Sequence, residues 1–195
     1  ARMGAPTGTL EGYLFPETYT FAEGASAREV VEAMVREFER RWKPEWNARL
    51  EALGMSRDEI VTLASIVEKE ARIAEERPVI AAVYHNRLKR GMLLQADPTV
   101  QYARGQHAER VLYKHLEVDS PYNTYRHAGL PPGPIASPGE ASLDASLHPA
   151  NVPYLFFVAH PDGHHEFEVT FEGHTRKRQE VRRAQAARSR QGSPP

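Results

Sequence analysis

The sequence predicts an α+β fold, mostly α-helical with a small β-hairpin portion near the end. Three observations predict it. Two Ser-x-x-Glu capping boxes, Ser26/Glu29 and Ser56/Glu59, each open a run of apolar residues at helical spacing. Two strand-like runs, Tyr154 to Ala159 and Glu166 to Thr170, flank the hairpin turn Pro161-Asp162-Gly163. No apolar run in the 195 residues approaches the ~20 that cross a bilayer.

The elements follow in order. Thr9 to Phe21 is rich in aromatic and β-branched residues and reads as a short strand or extended lead-in, with Pro16 forcing an edge or a break. Val30, Val31, Met34, Val35, Phe38 and Trp42 continue the Ser26 helix. A shorter helix is expected from Pro44 to Leu53, ended by Gly54. The Ser56 helix is expected to run through about Ala74. Pro78 belongs in the first turn of the next helix, which reaches Arg90 and stops at Gly91. Asp97-Pro98 reads as N-cap and first position of a further short helix. Tyr122 to Pro153 is heavy in Pro and Gly; Leu130 to Pro134 is rigid but not helical, and Ser137-Pro138-Gly139-Glu140 reads as another capping box. A basic helix, Arg176 to Arg190, closes the chain and reads as a solvated face with Val181 as its thin apolar contact.

Composition narrows the chemistry. The absence of cysteine removes disulfides, thiolate metal sites and thiol nucleophiles. A net charge of -1 calls for neither nucleic acid nor an anionic surface, so no nucleic-acid partner is expected. No glycine-rich phosphate loop occurs, and no cofactor is expected. His160, His164 and His165 cluster with Asp162, but the spacing lacks a helical i, i+4 pair; they read as exposed turn residues, and no metal site is assigned. Ala1 to Gly8 has no apolar h-region. The chain opens on Ala in mid-pattern, so a fragment is expected.

The main chemical signal lies in Leu63-Ala64-Ser65-Ile66-Val67-Glu68-Lys69-Glu70-Ala71-Arg72. Glu68 and Glu70, two positions apart on a helix, point to nearly opposite sides. The helical neighbours of Glu70 are Leu63, Ile66, Val67, Ile73 and Ala74, all apolar, whereas Arg72 offers Glu68 a surface ion pair. Glu70 therefore interrupts a buried stripe, where desolvation raises a carboxyl's pKa and suits it to general-acid work. The other reading is a structural carboxylate paired with a buried Arg or a backbone donor.

Several motifs also resemble a known family. Leu10-Glu11-Gly12-Tyr13-Leu14-Phe15-Pro16-Glu17-Thr18-Tyr19 and Ala64 to Ala71 resemble its opening and ASIVEKE segments. So do Asn86-Arg87-Leu88, Gly91-Met92 and Leu94 to Val100. Tyr122-Asn123-Thr124-Tyr125 and Gly129 to Ile135, Ser137-Pro138-Gly139, His148-Pro149-Ala150 and Tyr154 to Ala159 continue the match. These resemble the YceG-like (MltG) endolytic murein transglycosylases. The resemblance implies a lysozyme-like catalytic domain across 1–195. It implies cleavage of the β-1,4 bond between N-acetylmuramic acid and N-acetylglucosamine without water, leaving 1,6-anhydromuramic ends. The family's catalytic Glu corresponds to Glu70. A membrane anchor and a LysM-like region would precede this segment, placing it at the extracytoplasmic face of the plasma membrane. Peptidoglycan strands are the expected partners, with penicillin-binding proteins beside them.

One carboxyl suffices for this reaction, because the C6 hydroxyl of the same sugar serves as nucleophile. Gln95, Tyr122, Asn123 and Tyr125 are the substrate-binding candidates, and Glu68 is a partner behind the site or a surface residue. Packing is the alternative for the tyrosines, and a turn bonding its own backbone for Asn123. A non-catalytic glycan-binding module remains open. So does a hydrolytic muramidase, which needs a second acid near Glu70: Asp97, Glu17 or Glu117.

Overall fold

Both Ser capping boxes form as the sequence dictates. In a computed structural model that describes residues 8–105 and 112–191, with side chains through 186, Ser26 and Ser56 each accept from the backbone of the Glu three positions on. Each Glu side chain returns to the cap backbone. They open α1 (Ala27–Arg41) and α3 (Arg57–Glu70). Between them α2 (Glu45–Leu53) ends at Gly54, whose φ of 65° is the left-handed cap. Then come α4 (Arg77–Lys89), α5 (Asp97–Ala103), α6 (Glu140–Leu147), β1 (Phe156–Ala159), β2 (His165–Glu168) and α7 (Phe171–Gln191). The strands pair antiparallel with Val158 opposite Glu166 and Ala159 opposite His165. The α+β class with a small hairpin is thus what the chain adopts.

Helix α3 is the organising element. Ile60 through Val67 are all buried, as expected of a helix covered on every side. One side, with Leu63, Ile66 and Val67, joins Ile80, Tyr84 and Leu94 in one apolar cluster. The other, with Ile60, Val61 and Ala64, joins Tyr13, Phe15, Phe38, Trp46 and Leu143 in a second. Helices α4, α5 and α6 pack around it. Helix α7 lies against the hairpin, with Val181 buried beneath it. No helix among the described residues is long and apolar enough to cross a membrane.

Four local expectations are corrected. Thr9 to Phe21 forms no strand but an irregular, largely extended lead-in that buries Tyr13 and Phe15. Helix α3 stops at Glu70, with Ala71 as its C-cap, so Ile73 and Ala74 are not its helical neighbours. Asp97 is the first residue of α5, and Ala96 is the cap. Helix α6 has Gly139 rather than Ser137 at its N-cap and receives its capping acceptor from elsewhere in the fold. These are shifts at element ends, where short-range patterns are least binding.

Gly12 locks the lead-in to the core. Its φ is +88°, and a Cβ there would collide with Pro134 and stand 2.9 Å from Val61 on α3. The Pro-rich loop is pinned in turn, since the Ile135 amide donates to the Ser65 hydroxyl at 3.0 Å.

Candidate active site

The last residue of α3 opens into a cleft of about 830 Å³, walled by Glu70, Asp97, Tyr102, Ile135 and His160 among others. Lys69 and Arg72 flank Glu70 on this wall. The position follows from the helix end. The body of α3 is enclosed, and its C-terminal turn emerges where the Pro-rich loop, α5 and the hairpin meet.

Glu70 is partly open to the cleft, yet removal from water pushes its carboxyl up from the usual 4.5 to about 7. Two neighbours modulate this shift. The Tyr84 hydroxyl donates to Glu70 Oε1 at 2.8 Å and favours the ionised form, and the charge of Asp97 opposes ionisation. Arg87 also favours ionisation, but only through its field. Its guanidinium donates to the carbonyls of Leu155 at 2.6 Å and of Leu94 at 2.8 Å. No guanidinium clamps the acid. With Oε1 held by Tyr84, Oε2 is the oxygen left for a proton.

Asp97 answers the question of a second acid. It lines the same cleft and its charge acts on Glu70, whereas Glu17 pairs with Arg41 at 2.8 Å on the outer surface. The Tyr125 hydroxyl donates to Asp97 Oδ1 at 2.6 Å. Desolvation raises the Asp97 pKa and the Tyr125 bond lowers it; the residue as a whole stays exposed, so solvent screens its charge. The acidic companion that the one-carboxylate reading did without is therefore present.

The remaining predicted residues divide. Tyr125 reaches the site through Asp97. Tyr122 packs on Tyr102, a residue of the cleft wall, with ring centroids 4.8 Å apart. Gln95 is exposed two residues before Asp97, and its φ of 50° places a non-glycine residue in the left-handed region, a costly conformation frequent at functional sites. Asn123 does not face the cleft. It is fully buried, donates to the carbonyls of Leu116 and Val118 at 2.8 Å each, and accepts from the Tyr125 amide at 3.0 Å. The turn reading of Asn123 describes it. Glu68 makes no cleft contact either. Its Oε2 accepts from Ser142 Oγ at 2.6 Å and the Gly139 amide at 3.3 Å, capping α6; Arg72 lies beyond the end of α3, so helical spacing no longer brings the two together.

Sequence reasoning missed Tyr84, Arg87 and Thr124. Thr124 ties the start of α5, which carries Asp97, to the loop that carries Tyr125, its hydroxyl meeting Thr99 at 2.9 Å and the Ala96 amide at 3.0 Å. For Tyr84 the available signal was an aromatic one turn before Leu88 in an otherwise aliphatic stripe, which looks the same as core packing. His165 is also corrected. It is buried, not exposed, with Nδ1 2.7 Å from Glu76 Oε2.

Comparison with known proteins covers nearly the whole chain. Residues 3–180 match the YceG-like family. A Bacillus subtilis (strain 168) protein named endolytic murein transglycosylase is 43% identical over 87% of this chain and 47% of its own length. A Streptococcus pneumoniae (strain D39) protein of the same name is 34% identical over 77% of this chain and 28% of its own. The chain thus spans about half of the first relative and less of the second. A crystal structure of a yceG-like protein from Listeria monocytogenes superposes with a TM-score of 0.81 at 44% identity, over 86% of this chain and 55% of that one. Sequence match and shared fold agree, and the chain belongs to the YceG-like family.

Proposed function

We propose that this chain is the catalytic part of an endolytic peptidoglycan lytic transglycosylase. It cuts the β-1,4 bond between N-acetylmuramic acid and N-acetylglucosamine and leaves a 1,6-anhydro end. The observation that carries this reading is a carboxyl with a pKa near 7 in the wall of a sugar-sized cleft. The names of its relatives support the substrate class.

Protonated Glu70 gives its proton from Oε2 to the glycosidic oxygen as the bond from the muramic anomeric carbon breaks. The N-acetylglucosamine side leaves as an alcohol, and positive charge develops on the muramic ring. The new carboxylate is steadied by Tyr84 and takes the proton of the muramic C6 hydroxyl as that oxygen closes on the anomeric carbon. The nucleophile belongs to the substrate, so its effective concentration is already high. A carboxylate at Asp97, held by Tyr125, favours the cationic ring electrostatically.

The presence of Asp97 also supports a second reading, a hydrolytic muramidase in which two carboxyls activate water. Digestion of purified sacculi, read by mass spectrometry, separates the two. Anhydro-muropeptides support the lyase; reducing ends support the hydrolase. No release by the native protein leaves a non-catalytic glycan-binding module.

We further place the domain at the extracytoplasmic face of the plasma membrane, tethered by a segment outside this sequence. There it would trim strands beside the penicillin-binding proteins that make them. The resemblance of its motifs supports this, as does the greater length of its relatives.

A further inference from the structure

The hairpin tip gathers three donors outside the acid's chemistry. His160 follows β1, His164 precedes β2 and Glu166 lies on β2, and one donor atom of each stands within 4.8 Å of the others. All three are partly buried. The loop is closed by its own backbone, the His160 amide donating to the His164 carbonyl at 2.8 Å. Gly163 makes the turn possible. Its φ is +96°, and a Cβ there would press at 3.3 Å on Arg72.

The spacing of the three donors suits ligation of a single ion. His160 Nε2 lies 2.9 Å from Glu166 Oε1, yet that nitrogen, buried from water, has no aligned hydrogen-bond partner. Two donors each about 2.0–2.1 Å from one zinc ion stand about 3 Å apart, with lone pairs aimed at the ion instead of each other. Lys177 Nζ takes the other oxygen of Glu166 at 2.6 Å, leaving Oε1 turned to the histidines. Asp162 Oδ1 lies 2.6 Å from His164 Nδ1. With Nδ1 engaged by Asp162, Nε2 is the ring nitrogen left to face an ion. A carboxylate behind a ligating imidazole is a recurrent support in metal sites. The two imidazoles now stack with centroids 4.0 Å apart at 19°; ligation in the plane of each ring would splay them.

We propose that His160, His164 and Glu166 form a binding site for a divalent transition-metal ion of the zinc class. The ion would cross-link the two strand ends and stiffen the rim of the cleft that His160 and Pro161 line. Two imidazoles and one carboxylate suit zinc better than magnesium or calcium, which favour all-oxygen shells. The inference does not rest on the glycan-cleaving reading.

Titration calorimetry with zinc chloride on chelator-stripped protein tests it. The expected result is one ion per chain and a raised melting temperature. His160→Ala and His164→Ala each abolish saturable binding, Asp162→Asn weakens it about tenfold, and His148→Ala, remote from the hairpin, leaves it unchanged. Cobalt(II) on the unmutated chain gives the intense visible bands of a four-coordinate site with imidazole ligands, which keeps the test independent of variant folding. Absence of one-to-one binding by the unmutated chain, or undiminished binding in a folded His160→Ala/His164→Ala double variant, overturns the proposal.

Discussion

Glu70 changes charge near neutrality because burial opposes its ionised form while Tyr84 supports it. The proposed reaction starts from the protonated acid, so glycan cleavage is expected to fall as pH rises through about 7. Tyr84→Phe removes the donor that favours the carboxylate, and the alkaline limb of the pH–rate profile should move to higher pH. Glu70→Gln should cut anhydro-product release by about 10²–10⁴-fold, measured on sacculi. The same variant has a stability signature. A carboxyl whose folded pKa lies above its unfolded one contributes stability that is complete below about 4.5 and lost as pH rises through about 7. The loss amounts to about 3 kcal/mol. Glu70→Gln should therefore gain on the native chain in thermal melts at pH 8 and lose that advantage near pH 4.5. Glu70 was legible in the sequence because Leu63, Ile66 and Val67 precede it at helical spacing. Tyr84 was not, since it reaches Glu70 only through tertiary packing; Asp97 was one of three acids the sequence offered, and only the fold singles it out.

Helix starts were legible where the capping group is local, as at Ser26 and Ser56, and misplaced where it is not. The acceptor at the start of α6 is Glu68, 71 residues before Gly139, which no short-range pattern reveals. Glu68→Ala should lower stability by about 1 kcal/mol, seen as a depressed melting temperature, with the Glu70 pH profile kept. The loop carrying Tyr122 and Tyr125 depends likewise on one buried amide. Asn123→Ala leaves two carbonyls and one amide without partners and should cost about 1–3 kcal/mol. Because Asp97 is held by Tyr125, the same variant should also slow cleavage, whereas Glu68→Ala should not.

At the scale of the molecule, α3 and α6 both contribute to the two apolar clusters, and α3 ends at the acid. Helical periodicity could show that α3 is amphipathic or buried, but not that its two sides serve separate clusters. The front of the chain was harder still to read. Its aromatics suggested a strand, yet Tyr13 and Phe15 are anchors set into the second cluster, which needs buried rings and no ladder. Gly12→Ala should destabilise by about 2 kcal/mol or more, checked by denaturant melts, because it adds a clash to a left-handed backbone. Just ahead, Glu11 Oε2 accepts from the Tyr102 hydroxyl at 2.8 Å, and Tyr102 lines the cleft. The lead-in is thus fastened like a drawstring at the lip of the groove. A pull on the front of the chain would load Tyr102 and Pro134, and with them the wall of the groove, before it unravelled any helix.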